Sequence, residues 1–162
     1  MEVRLDRTVA PASARRLPWQ YPSASTVAAV PLKPHDRPMA GPSILVVDDH
    51  AGFREMAGDL LAGAGFEVVG VAADGRAAID AVAALRPAVV LLDVRLPDLD
   101  GFEVTRRLLA GPEPPTVVLV STREAADYGR RIQRSGAAGF ISKARLSGDT
   151  LLAILDGQEA SR

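Results

Sequence analysis

A chain of 162 residues, 48% hydrophobic and 24% charged, is long enough for one domain with a core covered on both sides, and has some chain to spare. Its net charge of −1 gives no electrostatic case for binding nucleic acid or an anionic membrane. The absence of cysteine excludes a disulfide framework and a thiolate metal site. No run approaches the roughly 18 apolar residues a membrane helix needs. Arg15-Arg16 is followed by Leu17-Pro18-Trp19-Gln20, which is not the apolar stretch of a secretory signal. A cytoplasmic protein is expected.

Residues 1–42 hold seven of the twelve prolines. Proline at this density removes backbone donors and disfavours helix at each preceding residue. This segment is expected to be a disordered tail rich in Pro, Ala and Arg, with Trp19 and Tyr21 as its only large aromatics. Whether translation starts at Met1 or at Met39 is open. A folded domain is expected over 43–157, with a short tail at 158–162.

Within that domain strands and helices alternate. Ile44-Leu45-Val46-Val47 reads as a strand buried on both faces. Phe53, Met56, Ala57 and Leu60 recur at helical spacing. Phe66 to Ala72 predicts a second strand. Ala78, Val82 and Leu85 predict a helix ended by Pro87, and Val89 to Leu92 a third buried strand. Phe102, Thr105, Leu108 and Leu109 mark a third helix, stopped by Gly111-Pro112. Thr116 to Val120 is a fourth strand. Tyr128 and Ile132 anchor a fourth helix that ends near Gly136. Gly139 to Ser142 is a fifth strand, and Leu151, Ile154 and Leu155 mark a last helix. Such alternation predicts an α/β fold: a five-stranded, doubly wound parallel sheet of flavodoxin-like order 2-1-3-4-5, with helices on both faces.

Ligands of an open α/β sheet bind beyond the carboxyl ends of its strands. Strand one ends in Asp48-Asp49, strand three in Asp93, strand four in Ser121-Thr122 and strand five in Ser142-Lys143. Two unit charges about 4 Å apart repel by roughly 4 kcal/mol at an effective dielectric near 20. Three carboxylates on one rim therefore call for raised pKa values or a cation. Oxygen-only ligands suit Mg²⁺. A carboxylate can accept a phosphoryl group. The Lys143 ammonium can offset charge on the phosphoryl oxygens, and the Ser121 hydroxyl can donate to one of them. Asp49 also suits a helix cap, and His50 reads as an ordinary residue at a helix start.

ILVVDDH (44–50), VVLLDVRLPDLDG (89–101), VVLVST (117–122) and GFISK (139–143) together resemble the four signatures of two-component response-regulator receiver domains, in the family's order and spacing. The resemblance implies that Asp93 is the phosphoacceptor. It implies a Mg²⁺ site made by Asp48, Asp49, Asp93 and the backbone carbonyl of Arg95. It also implies that Ser121 and Phe140 are the switch pair and Lys143 the invariant lysine. Arg95 and Arg123 fall at positions that tune phosphorylation rates in the family. Ala144 after the lysine, Asp49-His50 and Phe53-Arg54-Glu55 resemble the subgroup that carries LuxR- or NarL-type DNA-binding domains. This chain is expected to be stand-alone, with no direct DNA binding.

The implied function is a phosphorylation-dependent switch and not an enzyme, limited to its own phosphorylation and dephosphorylation. The donor would be a histidine kinase or a histidine phosphotransfer protein. Output would pass to a protein partner through the face of the fourth helix, fifth strand and fifth helix. Whether two copies form a homodimer is open. A haloacid-dehalogenase-like phosphohydrolase would need a second aspartate where His50 stands. An FMN carrier would need a glycine- and hydroxyl-rich phosphate loop after the first strand. A degenerate receiver acting only as a binding module would not need the full set of Asp48, Asp49, Asp93, Ser121 and Lys143.

Overall fold

The structure is a computed structural model, and it describes residues 41–161. Trp19, Tyr21, Met39 and nearly all of the expected tail lie outside the described residues. The end of that expected tail is tied down: the Gly41 N–H donates to Gly65 O at 2.7 Å, and Pro42 O accepts from Glu67 N at 3.1 Å.

Five strands form one parallel sheet: β1 Ser43–Val47, β2 Glu67–Ala72, β3 Val89–Asp93, β4 Thr116–Ser121 and β5 Gly139–Ser142. Their order is β2-β1-β3-β4-β5, as the alternating pattern predicts. Parallel strands need helical crossovers that cover both faces, so the central strands must be apolar throughout. The period-2 geometry of a strand then splits each run between two cores. Ile44, Val46, Leu91, Val118 and Val120 pack with Ala57 and Leu61 of α1 (Ala51–Gly63) and Leu151 of α6 (Gly148–Glu159). Leu45, Val47, Val90, Leu92 and Leu119 pack with Ala78 of α2 (Gly75–Leu85) and with Val104 and Leu108 of α3 (Gly101–Leu109).

Local chemistry sets the helix ends. Asp74 caps α2 by accepting from Ala77 N at 2.8 Å. Asp100 caps α3 by accepting from Phe102 N at 2.7 Å. Ser147 and Thr150 form a capping box on α6. The last helix runs through Glu159, two residues past the expected domain boundary at 157.

Three local expectations change. Met56 is 45% exposed; the buried stripe of α1 runs instead through Ala57, Gly58 and Leu61. Residue 50, not Asp49, is the N-cap of α1, and it makes no side-chain cap bond. The expected fourth helix is two short ones, α4 Ala125–Tyr128 and α5 Arg130–Ser135. Gly129 between them has φ +53° and ψ −130°, a conformation outside the helical region that glycine tolerates best. Tyr128 and Ile132 keep helical spacing across the break, which is why spacing alone predicts one helix.

A second glycine closes the fold around the end of β3. The Gly101 N–H donates to Val94 O at 2.8 Å. A Cβ at Gly101 would stand 2.5 Å from Asp93 O and 2.7 Å from Val94 Cα. Backbone, not a yielding side chain, occupies that space. Gly101→Ala is therefore expected to destabilise the fold by about 1–3 kcal/mol, the usual cost of overpacking. An unchanged urea midpoint would show that α3 shifts freely away from β3.

Candidate functional site

The carboxyl ends of β1, β3, β4 and β5 place Asp48, Asp93, Ser121 and Lys143 on one rim. Asp48 is 0%, Asp93 3% and Ser121 1% exposed. Lys143 opens a short 3₁₀ turn, Lys143–Arg145, directly after β5. Its ammonium lies 2.5 Å from Asp48 Oδ2 and 3.1 Å from Asp93 Oδ2. It also sits 4.4 Å from the centre of the Phe53 ring, a cation–π contact that favours the charged form.

The other oxygens of these carboxylates are held by backbone. Asp93 Oδ1 accepts from Arg95 N at 3.1 Å, and Asp48 Oδ1 accepts from His50 N at 2.8 Å. The Arg54 guanidinium donates to the Asp48 carbonyl at 2.8 Å. Asp49 is partly exposed, and its carboxylate meets His50 Nδ1 at 2.9 Å.

Burial pushes the Asp93 carboxyl up to about 6, and the nearby Asp48 charge adds to the rise against the opposing pull of Arg95 N–H and Lys143. Burial also pushes Asp48 up, but the Lys143 and His50 hydrogen bonds outweigh it and leave that group below its ordinary value. For Lys143, burial favours the neutral amine, while Asp48 and Asp93 outweigh it and raise the pKa. The pocket thus holds one firmly ionised carboxylate, one ammonium and one carboxyl poised near neutrality.

Ligand atoms of Asp48, Asp49, His50 and Asp93 lie within 4.8 Å of one another. Their three carboxylates form a hard oxygen set, two buried and one open to solvent. That donor chemistry fits Mg²⁺, which takes one or two carboxylates and keeps water on its open positions.

The Ser121 hydroxyl lies 2.7 Å from the Tyr128 hydroxyl and accepts from Arg123 N at 3.2 Å. Phe140, on β5, stacks against the same Tyr128 at 5.7 Å between ring centres. Arg95 and Arg123 are exposed. Asp48, Asp49, Asp93, Ser121 and Lys143 therefore gather at this rim, Phe140 reaches it through Tyr128, and Arg95 and Arg123 touch it through their backbone N–H groups.

Four participants escape the sequence patterns. Tyr128 reads only as a helix anchor, Phe53 as an apolar helix position and part of a family resemblance, and Arg54 only as part of that resemblance. Asp98 accepts from Gly75 N at 2.8 Å and from Leu99 N at 2.8 Å through Oδ1, and from Arg76 N at 2.9 Å through Oδ2. It moors the loop after β3 to the start of α2. Slight burial raises this carboxyl, but those N–H donors leave it below its ordinary value. An aspartate three residues before a helix N-terminus suggests a local cap, and nothing in the pattern points to a partner helix more than 20 residues away. On the other side of the same loop, Asp100 Oδ2 pairs with Arg131 of α5 at 2.8 Å.

Among the described residues no helix is long and apolar enough to cross a membrane. The model of the response regulator receiver domain matches residues 44–156. Response regulator GacA of Pseudomonas aeruginosa is 38% identical over 104 residues, which cover 62% of this chain and 47% of that protein. A protein-glutamate methylesterase/protein-glutamine glutaminase of Geobacillus kaustophilus is 39% identical over 102 residues, 62% of this chain and 29% of that protein. The chain thus spans less than half the length of these curated relatives. Among solved structures, the signal receiver domain of NarL from Mycobacterium tuberculosis superposes with a TM-score of 0.66 at 33% identity, covering 74% of this chain and 98% of that one. Chemotaxis response regulator CheY4 of Vibrio cholerae gives 0.62 at 29% identity, covering 71% and 96%.

Proposed function

This chain belongs to the response regulator receiver domain family, and from that premise we propose that it is a two-component signalling switch that takes a phosphoryl group on Asp93. The observation that carries the reading is the Lys143 ammonium bound to both Asp93 and Asp48 in one buried pocket at the carboxyl edge of the sheet. We assign residues 43–157 to the receiver unit, with 1–42 and 158–162 flanking it.

In this reading an Asp93 carboxylate oxygen forms a bond to phosphorus as the nitrogen–phosphorus bond of a phosphohistidine donor breaks. The bond's electron pair stays on the donor nitrogen, and the imidazole leaves as a neutral ring whose other nitrogen keeps the proton it carried in the phosphohistidine. Mg²⁺ held by Asp48, Asp49, Asp93 and the Arg95 carbonyl would supply positive charge to the phosphoryl oxygens when bound. Lys143 supplies a second positive charge from the protein itself. An acyl phosphate on Asp93 presents new acceptor oxygens, toward which Ser121 and Lys143 turn. Phe140 then repacks, and the face of α4, α5, β5 and α6 changes for a downstream protein partner. The donor is a histidine kinase or a histidine phosphotransfer protein. We infer no activity on an outside substrate, a cytoplasmic location and no direct contact of this domain with DNA.

An intact-mass time course with acetyl phosphate, with and without Mg²⁺, tests the reading. A Mg²⁺-dependent, base-labile phosphoryl adduct is expected. A chain that gains no adduct and shows no response to beryllofluoride would instead be a binding module.

Arg95 and Arg123 give a kinetic expectation. Two exposed arginines whose backbone N–H groups bond Asp93 and Ser121 would raise the local concentration of an anionic small donor. Arg95→Ala and Arg123→Ala are each expected to slow phosphorylation by acetyl phosphate about two- to fivefold at low salt, less at high salt where such steering is screened. Equal rates in wild type and both variants at low salt would remove this role.

A further inference from the structure

We propose that Tyr128 is a positioning residue for Ser121: its hydroxyl holds the Ser121 hydroxyl in a resting place until a phosphoryl oxygen on Asp93 competes for it. The inference rests on the reading of Asp93 as the acceptor.

Ser121 is buried, and its hydroxyl has a phenol partner at 2.7 Å and a backbone donor, Arg123 N, at 3.2 Å. In this proposal the Ser121 oxygen leaves Tyr128 as it turns toward Asp93, so the 2.7 Å bond is given up when the phosphoryl oxygen is bonded. A buried hydroxyl that loses its partner recovers the loss only from the new one. The resting bond therefore opposes the switched position.

The Tyr128 ring is not free to follow. It packs edge-on against Phe102 at 5.7 Å and 64°, and against Phe140 at 5.7 Å and 54°. Phe140 has no hydroxyl and cannot bond Ser121 itself. In this chain the link between the hydroxyl at the end of β4 and the aromatic on β5 runs through the Tyr128 side chain. Tyr128 is also the last residue of α4, and the next residue is Gly129, where the helix breaks. Release of its hydroxyl thus acts at once on Phe140 and on the junction between α4 and α5.

The test is a double-mutant cycle read with beryllofluoride at fixed Mg²⁺, by amide NMR titration of wild type, Tyr128→Phe, Ser121→Ala and the double variant. Phenylalanine keeps the ring between Phe102 and Phe140 and removes only the hydroxyl. Tyr128→Phe is expected to lower the half-saturating beryllofluoride concentration about two- to tenfold, the range of one net hydrogen bond. In the Ser121→Ala background the same change is expected to do nothing. An unchanged or raised concentration overturns the proposal, and so does an equal gain in the Ser121→Ala background, which would make the effect one of packing. A second readout needs no variant at position 128. In wild type labelled with 3-fluorotyrosine, the ¹⁹F resonance of Tyr128 should move on adding beryllofluoride, and a resonance that stays in place overturns the proposal. If wild type shows no response of any amide, the acceptor reading fails and this one with it; an amide response with a flat cycle removes this one alone.

Discussion

Asp93→Asn is expected to abolish the acetyl phosphate adduct completely while making the metal-free protein more stable at pH 7. The first effect follows because an amide oxygen is a far weaker nucleophile than a carboxylate, and no other carboxylate on the rim has the same setting. Asp48 has the Lys143 ammonium at 2.5 Å and a lowered pKa, and Asp49 stands outside the buried pair. The second effect follows from burial. The Asp93 carboxyl is raised to about 6 from an ordinary value of 3.8. Below the ordinary value both folded and unfolded chains hold the proton, and burial costs nothing in charge. Between the two values the unfolded chain ionises first, so stability falls as pH rises. Above the folded value the whole cost is present, about 1–3 kcal/mol for a shift of this size. Urea melts of wild type and Asp93→Asn in chelator should therefore separate at pH 7 and converge near pH 4. An adduct that survives in Asp93→Asn would identify a different acceptor. Coincident melts at pH 7 would mean that the buried carboxylate is fully compensated.

Lys143→Met should produce the opposite stability change and also disable the switch. Methionine keeps most of the side chain's length and its packing over Phe53, but it leaves Asp48 and Asp93 without the ammonium that faces both. Removing one partner of a buried ion pair typically costs about 3–5 kcal/mol, because the remaining charge is stranded. Here the loss should sit at the lower end, since Asp93 already ionises only near 6 and can take a proton. The pH dependence has a definite sign. Asp48 is depressed in the folded state, so its stabilising share is present above its ordinary value and disappears as pH falls through the folded one. Lys143 is raised, so its share is complete below its ordinary value of 10.5 and is lost as pH climbs through the folded one. The penalty of Lys143→Met should accordingly shrink toward low pH, and Mg²⁺ should restore part of it at pH 7 by supplying another cation. Equal urea midpoints for wild type and Lys143→Met in chelator at pH 7 would contradict this account. In the adduct assay Lys143→Met should still accept a phosphoryl group slowly, but Ser121 and Phe140 should no longer respond, which amide NMR with beryllofluoride reads directly.

Much of this pocket is visible in the linear sequence for a simple reason. Val89 to Leu92 is apolar on both faces and is followed by Asp93. Between the turn signals that bound it, such a run reads as a central parallel strand, and the carboxyl end of such a strand lies on the ligand-binding edge of the sheet. The same logic brings in Asp48, Ser121 and Lys143 once the strand order follows from alternation. What escapes is lateral. The Tyr128 hydroxyl meets Ser121 from the last residue of α4, and helical spacing cannot distinguish a continuous helix from one broken at Gly129. Asp98 looks like a local cap, yet its carboxylate serves the backbone of α2. Met56 has the right spacing to be buried, but a position at the edge of the stripe on α1 leaves it in solvent. Spacing reports which face a residue shares. It does not report which neighbour comes to meet it.

The mooring of the loop after β3 has one more effect. Val94 O is taken by Gly101 N, Arg95 bridges to Asp100, Asp98 grips the start of α2, and Asp100 is held by Arg131. The wall on that flank of Asp93 is anchored at four points along seven residues. The wall on the other flank, after β4, has exposed residues from Thr122 to Asp127 and ends in a glycine break. The two flanks are thus held unequally by backbone: the first through N–H groups of Gly101, Gly75 and Arg76, the second through side chains, with Tyr128 between Phe102 and Phe140. In the proposed switch, charge and bulk added at Asp93 would meet four anchors on one flank and an exposed, glycine-ended segment on the other, so the domain would work as a rectifier: a local event with no preferred direction would leave the pocket by a single route.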